Sequence, residues 1–347
     1  MSSPYRYTTP VPKKMGSGQV AGVYAQMAED FILADGPLLS LSPVPDLLAA
    51  TWALLREAQL SGRAPRVDRE IVATAVSQVN RCQFCTGAHT VLLHATGDDR
   101  LAEAIWKGET PEDPVHAAVA AWARATATHG AAELIDPPFP APLGMEYVGT
   151  ALVTHFINRM TSALLDEDAL AGRLQRSALI RRIAGRAYAR IVRGAPAPGA
   201  SLALLTGLPA AGDTPAWGEG TSIGFAYATL RAAAARGGQL LGPPARDLVV
   251  TTIAGWDGAH PPLGTAWLDG PVAGLYGADR PGARLALLAA LAPYRITDAD
   301  VAAWRAHHDD DAELIRLLAF GAMSAVDRIE DWTTAGLAAS SRVAVTR

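Results

Sequence analysis

The chain has 347 residues, half of them apolar and 18% charged, with a formal net charge of −4. This composition excludes a disordered chain and provides no basic field for a nucleic acid or an anionic membrane surface. The length exceeds one ordinary core and predicts two domains.

Residues 1–18 are rich in Pro, Thr and Gly and read as an N-terminal arm. The arm lacks the apolar stretch of a signal peptide, and no run of 18 apolar residues follows. A cytoplasmic protein without a membrane segment is the expectation. From residue 19 to 193 the apolar spacing is helical, with helices predicted at 20–34, 46–61, 68–79, 82–96, 99–107, 114–128, 147–164 and 174–192. Ser61-Gly62-Arg63 and Thr96-Gly97 read as helix stops. The segment 194–220 is dense in Pro, Gly and Ala and reads as a linker. A second helical block, 221–347, carries predicted helices at 221–237, 244–256, 264–270, 280–292, 297–307, 310–323 and 325–336. No sustained alternation demands a strand, so the expected fold class is all-α.

The two blocks resemble each other. REIVATAV at 69–76 aligns with RDLVVTTI at 246–253, and FINRM at 156–160 aligns with AVDRI at 325–329. The matches keep their order, which predicts an internal duplication. In the register of the first match, Cys82, Cys85 and His89 fall on Ala259, Pro262 and Ala266. The second copy is therefore expected to lack whatever chemistry the first performs.

That chemistry centres on NRCQFCTGAH, 80–89, which holds both cysteines of the chain. In a reducing compartment an isolated CxxC is more often redox-active or metal-binding than a structural staple. Asn80-Arg81 interrupts one helical pattern, and a new helix is predicted near Cys82. A cysteine at a helix start faces unpaired N–H groups and the positive end of the helix dipole, which favours thiolate. Cys85 lies one turn on, and His89 stacks four residues after it. Glu70 sits in the first turn of the preceding helix and reaches the same pocket if the two helices fold back on each other. Such a set suits peroxide reduction: one thiolate attacks the O–O bond, its neighbour resolves the sulfenic acid, and the carboxylate and imidazole move protons. As zinc ligands, Cys82, Cys85 and His89 would leave a site open, with no second CxxC to close it, so redox use is favoured.

The spacing E-x11-C-x2-C-x3-H, written by Glu70, Cys82, Cys85 and His89, resembles the motif of the alkylhydroperoxidase D family, within the carboxymuconolactone decarboxylase superfamily. The likeness runs through 69–97, and HFINRM at 155–160 is similar to a later helix of that superfamily. The resemblance implies a duplicated all-α bundle and cofactor-free thiol peroxidase or disulfide reductase activity. It implies a hydroperoxide or disulfide substrate and a thiol reductant of lipoyl or thioredoxin type. Carried over, Cys85 is the buried attacking thiol, Cys82 its more exposed partner, and Glu70 with His89 the proton relay. Well-known members place a second histidine just before the second cysteine; here that residue is Phe84. Two other readings stand beside the peroxidase. One is a cofactor-free enzyme of the decarboxylase type, acting on a small carboxylic acid or lactone. The other is a redox sensor without turnover.

Elsewhere the signals are structural. The eight tryptophans read as core or interface anchors. HHDDD at 307–311 reads as a helix cap with acidic first turn, not a metal site. Arg181, Arg182, Arg186, Arg190 and Arg193 are expected to line a solvated or subunit-facing helix side, opposite Ile180 and Ile183. The amphipathic faces of 46–61 and 221–237 predict a homo-oligomer, dimer or trimer.

Overall fold

The computed structural model describes residues 3–31, 35–166, 177–209 and 212–345, with side chains to residue 336. The described residues form fifteen α-helices and no extended strand, with one isolated bridge between Tyr5 and Leu165. The first half contains α1 (Gly18–Asp30), α2 (Asp35–Leu39), α3 (Pro45–Leu55), α4 (Arg66–Val79), α5 (Gln83–Thr96), α6 (Asp99–Lys107), α7 (Pro114–Ala125), α8 (Gly144–Leu164) and α9 (Ala178–Val192). The second contains α10 (Ser222–Ala235), α11 (Pro243–Ala254), α12 (Ala266–Val272), α13 (Asp279–Leu291), α14 (Asp298–Arg305) and α15 (Asp311–Val345). The all-α expectation is met. Of the expected helices, residues 32–34 and 174–176 lie outside the described residues. The break expected at 324 is absent, because nothing there stops a helix: Ser324 Oγ simply donates to Phe320 O within the running α15.

The α4 helix occupies the centre of the first half. Helices α5, α7 and α8 pack around it, and every residue from 68 to 77 is buried. In the second half α11 packs on α13 and α15, and only Ala245, Val249 and Ile253 are buried along it. The halves join through α3 on α10 and α8 on α15, and one apolar core runs through both.

That junction corrects one expectation. The apolar faces at 46–61 and 221–237 cover each other within the chain, so they are not left for a second subunit. The exposed aliphatic face lies instead on α9, at Leu179, Ile180 and Ile183. The expected arginine side of that helix holds in part: Arg182, Arg186, Arg190 and Arg193 are exposed, but Arg181 is not. Gly185 lets α9 approach α5 so closely that an added Cβ would stand 2.5 Å from His94 Cβ. With that face inward, Arg181 is buried, paired with Glu103 at 2.6 Å and stacked 4.1 Å over Trp106. The guanidinium outcompetes the isoleucines for the interior because a partly buried carboxylate and an indole face are both waiting for it.

Polar ties hold the remaining segments. The arm crosses both halves: Arg6 N–H donates to Leu164 O at 3.0 Å, and Thr9 N–H to Asp311 at 2.7 Å. The Pro/Gly-rich segment after α9 wraps the buried Glu57, which accepts Gly199 N–H at 2.6 Å and Ser201 Oγ–H at 2.5 Å. At 307–311, Asp310 accepts Ala312 N–H at 2.8 Å and caps α15, while His308 pairs with Glu313 at 2.9 Å. No group of three or more metal-ligating side chains occurs among the described residues. Among the described residues, no helix is long and apolar enough to cross a membrane.

Candidate active site

The turn between α4 and α5 builds the site. Helix α4 ends in a Schellman motif, with Cys82 N–H bonded to Ser77 O and Arg81 N–H to Gln78 O, both at 3.0 Å. Arg81 takes the left-handed position at φ 61°, which glycine usually fills. The tight reversal sends α5 straight back along α4. Cys82 is the N-cap of α5, and its sulfur stands where a cap oxygen would, accepting Cys85 N–H at 3.4 Å. Helix α5 ends at Gly97, whose φ of 104° closes it as the sequence predicts.

Because the helices fold back on each other, Glu70 meets His89. Glu70 Oε2 lies 2.9 Å from His89 Nδ1, and its other oxygen accepts Arg66 Nε–H at 2.7 Å. Gln59 Nε2 donates to the same Oε2 at 3.2 Å. Glu70 is fully buried. Burial alone raises its pKa, but Arg66 and His89 reverse that and hold it down to about 2. Glu70 is therefore a carboxylate throughout the physiological range. It orients the imidazole: with Nδ1–H donated to Glu70, Nε2 is the ring nitrogen left to exchange protons.

His89 and Cys85 share the wall of a small apolar cavity of about 30 Å³, with Phe31, Leu38, Leu55, Phe84 and Ile157 among its neighbours. Neither cysteine is in a disulfide. Their exposures depart from the order the family resemblance implies. Cys82 is 0% exposed and Cys85 4%. The turn carrying Cys82 lies under the loop after α11, where His260 Nε2 bonds Val79 O at 3.0 Å, and Tyr294 lies against Arg81. Phe84, in the place of the family's second histidine, joins both cysteines in an apolar cluster separate from the main core.

The structure thus brings together all four residues singled out from the motif. Two neighbours were not singled out. Arg66 was readable in principle, since it stands four residues before Glu70 on one helix face. Gln59 was not. It reaches the site from a π turn, Arg56–Leu60, that widens the end of α3. His94, a neighbouring imidazole on α5, is committed elsewhere, to Asp99 at 2.6 Å and Glu103 at 2.9 Å.

Comparison with known proteins agrees with this geometry. The family model described as carboxymuconolactone decarboxylase family matches residues 45–133, which span α3 through α7. A Mycobacterium tuberculosis protein named alkyl hydroperoxide reductase is 39% identical over 339 residues, 96% of each chain. No solved structure matches significantly. With a relative this similar along nearly its whole length, and with the Glu-Cys-Cys-His spacing intact, the chain belongs to the carboxymuconolactone decarboxylase family and is of the alkylhydroperoxidase D type.

Proposed function

We propose that the protein is a thiol-dependent peroxidase in which Cys85 attacks, Cys82 resolves, and His89 held by Glu70 moves the proton. The observation that carries this reading is the 2.9 Å Glu70–His89 contact at the edge of a cavity that Cys85 also lines. His89 Nε2 takes the Cys85 thiol proton. The thiolate then attacks the terminal oxygen of ROOH, an S–O bond forms, and the O–O bond breaks. The leaving alkoxide takes the proton back from Nε2 and departs as ROH, leaving Cys85 as sulfenic acid. Cys82 attacks that sulfur, water leaves, and a Cys82–Cys85 disulfide remains. An external dithiol restores both thiols and is itself oxidised to its disulfide. The N–H of Cys85, directed at Cys82 sulfur, meets negative charge there as resolution begins.

The cavity bears on substrate class. Its walls are apolar, and its volume accommodates a peroxide head group and little more. Phe84 adds apolar surface where the family motif has an imidazole, which favours an organic hydroperoxide over a charged acid. The relative's name, alkyl hydroperoxide reductase, supports the same reading. The test is steady-state consumption of cumene hydroperoxide with excess dithiothreitol, run beside Cys85→Ser. Turnover that vanishes in the variant is the expected result. Equal turnover in both proteins would refute the reading, and a disulfide that forms without turnover would point to a sensor.

We further propose that 221–347 is a degenerate copy of 19–193, with 194–220 connecting them. The packing of α4 on α7 and α8 parallels that of α11 on α13 and α15, which supports this division. In that register Ala259 and Pro262 stand for the cysteines, and the copy carries no redox chemistry.

A further inference from the structure

A second cavity, of about 440 Å³, lies between the halves, behind the turn that carries Cys82. The first half contributes Arg81, Arg124, His155 and Arg159 to its wall; the second contributes Trp256, His260 and Tyr294. Among the described residues, the wall includes three arginines and no carboxylate. None of the three forms an ion pair among the described residues. Arg159 is only 5% exposed, yet its guanidinium bonds only to Ala290 O, Asn80, and the ring and carbonyl of His155. Arg124 carries a buried Nη2 with no hydrogen-bond partner. Elsewhere the protein pairs its inward arginines: Arg56 with Asp30, Arg66 with Glu70, Arg181 with Glu103. Arg159 is buried, Arg124 half-buried and Arg81 exposed. A buried cation left without an anion is costly, so Arg159, with two further unpaired arginines beside it, calls for an explanation.

The backbone adds an independent observation. Arg81 is the one residue other than glycine with positive φ among the described residues. A glycine would fill this Schellman position without strain. An arginine there puts a guanidinium on the cavity wall, over the Tyr294 ring at 5.5 Å. Strain retained at such a position commonly accompanies a functional side chain. The field also acts on neighbouring groups. Burial, then Arg159, holds His155 well below its usual pKa; burial, then Arg81, lowers His260.

We infer that this cavity binds a small molecule through an oxyanion, a carboxylate or phosphate group, which supplies the negative charge that Arg81, Arg124 and Arg159 lack. The volume suits a small metabolite. The Trp256 ring offers an apolar wall for its body, and Tyr294 and His260 offer polar contacts. The site needs both halves. It assigns the second half a part that the missing cysteines do not: its loop after α11 closes an anion site against the back of the Cys82 turn. This inference does not rest on the peroxidase reading.

The experiment is thermal unfolding of the full chain, titrated with inorganic phosphate and separately with benzoate, against sodium chloride of equal ionic strength. Wild type, Arg81→Gly and Arg124→Gln are compared. Arg81→Gly is the informative variant, since glycine fits the left-handed turn and the fold survives. The expected result is a saturable rise in midpoint for wild type with at least one anion. In Arg81→Gly the apparent affinity falls about tenfold or more, the size of one lost charge-assisted contact. A response to phosphate alone assigns a phosphate ester, and one to benzoate alone assigns a carboxylate. No saturable rise beyond chloride with either anion overturns the inference. So does a rise of unchanged affinity in both variants.

Discussion

Helices α4 and α11 begin from similar sequences and reach different ends. REIVATAV is buried at every residue, with Glu70 fully enclosed and ionised. RDLVVTTI becomes a surface helix, with Asp247 exposed. The difference arises after the helix. Helix α4 ends in a tight left-handed turn, and α5 folds back over it at once. Helix α11 runs out through Gly258, Pro261 and Pro262, and no helix resumes until Ala266. A carboxylate in the first turn is a solvated charge until a neighbouring helix covers it, and then it needs partners. Arg66, Gln59 and His89 are those partners in the first half.

The contrast can be broken most completely at sulfur. Cys85→Ser is expected to drop peroxidase turnover to the uncatalysed rate, whereas Pro262→Ser, at the matching place in the second half, leaves turnover within twofold, read by peroxide consumption. Next comes the buried charge. Arg66→Ala removes the strongest partner of a fully buried carboxylate and should cost about 3–5 kcal/mol in chemical denaturation. Acid should sharpen the comparison further. The Glu70 pKa is depressed in the fold to about 2 from the ordinary 4.5. Its contribution is therefore present above about pH 4.5 and is lost as pH falls toward 2, an effect of about 3 kcal/mol. Glu70→Gln should flatten the stability profile across that window while lowering turnover about 100-fold through the misoriented imidazole. The smallest effect is expected at Asp247→Asn, within about 0.5 kcal/mol of wild type, because solvent already holds that carboxylate.

Much of this site was legible in one dimension. The interruption at Asn80-Arg81, the cap position of Cys82 and the stop at Gly97 are local events, governed by hydrogen bonds within a few residues. The one-turn steps from Cys82 to Cys85 and on to His89 follow from helical geometry alone. Gln59 was not legible, because it depends on a π turn and on where the end of α3 meets α4 and α5. The burial of Arg181 on α9 was not legible for a related reason, although Arg182, Arg186, Arg190 and Arg193 are exposed as the pattern predicts. Amphipathicity predicts which face is apolar, but Arg181 found a carboxylate and an indole inside, and the isoleucines were left outside.

The sequence by itself determined the helical class, the helix ends around the reactive turn, and the group of side chains that α5 presents. Each depends on interactions no longer than one or two helical turns. Only the tertiary structure decided that Glu70 is buried and paired, that Cys82 is fully buried, and that the faces of α3 and α10 meet each other. The same holds for the arginine-lined cavity, whose walls come from residues as far apart as Arg81 and Tyr294. Burial and charge compensation are properties of what packs against a residue, and a linear pattern does not specify its distant neighbours.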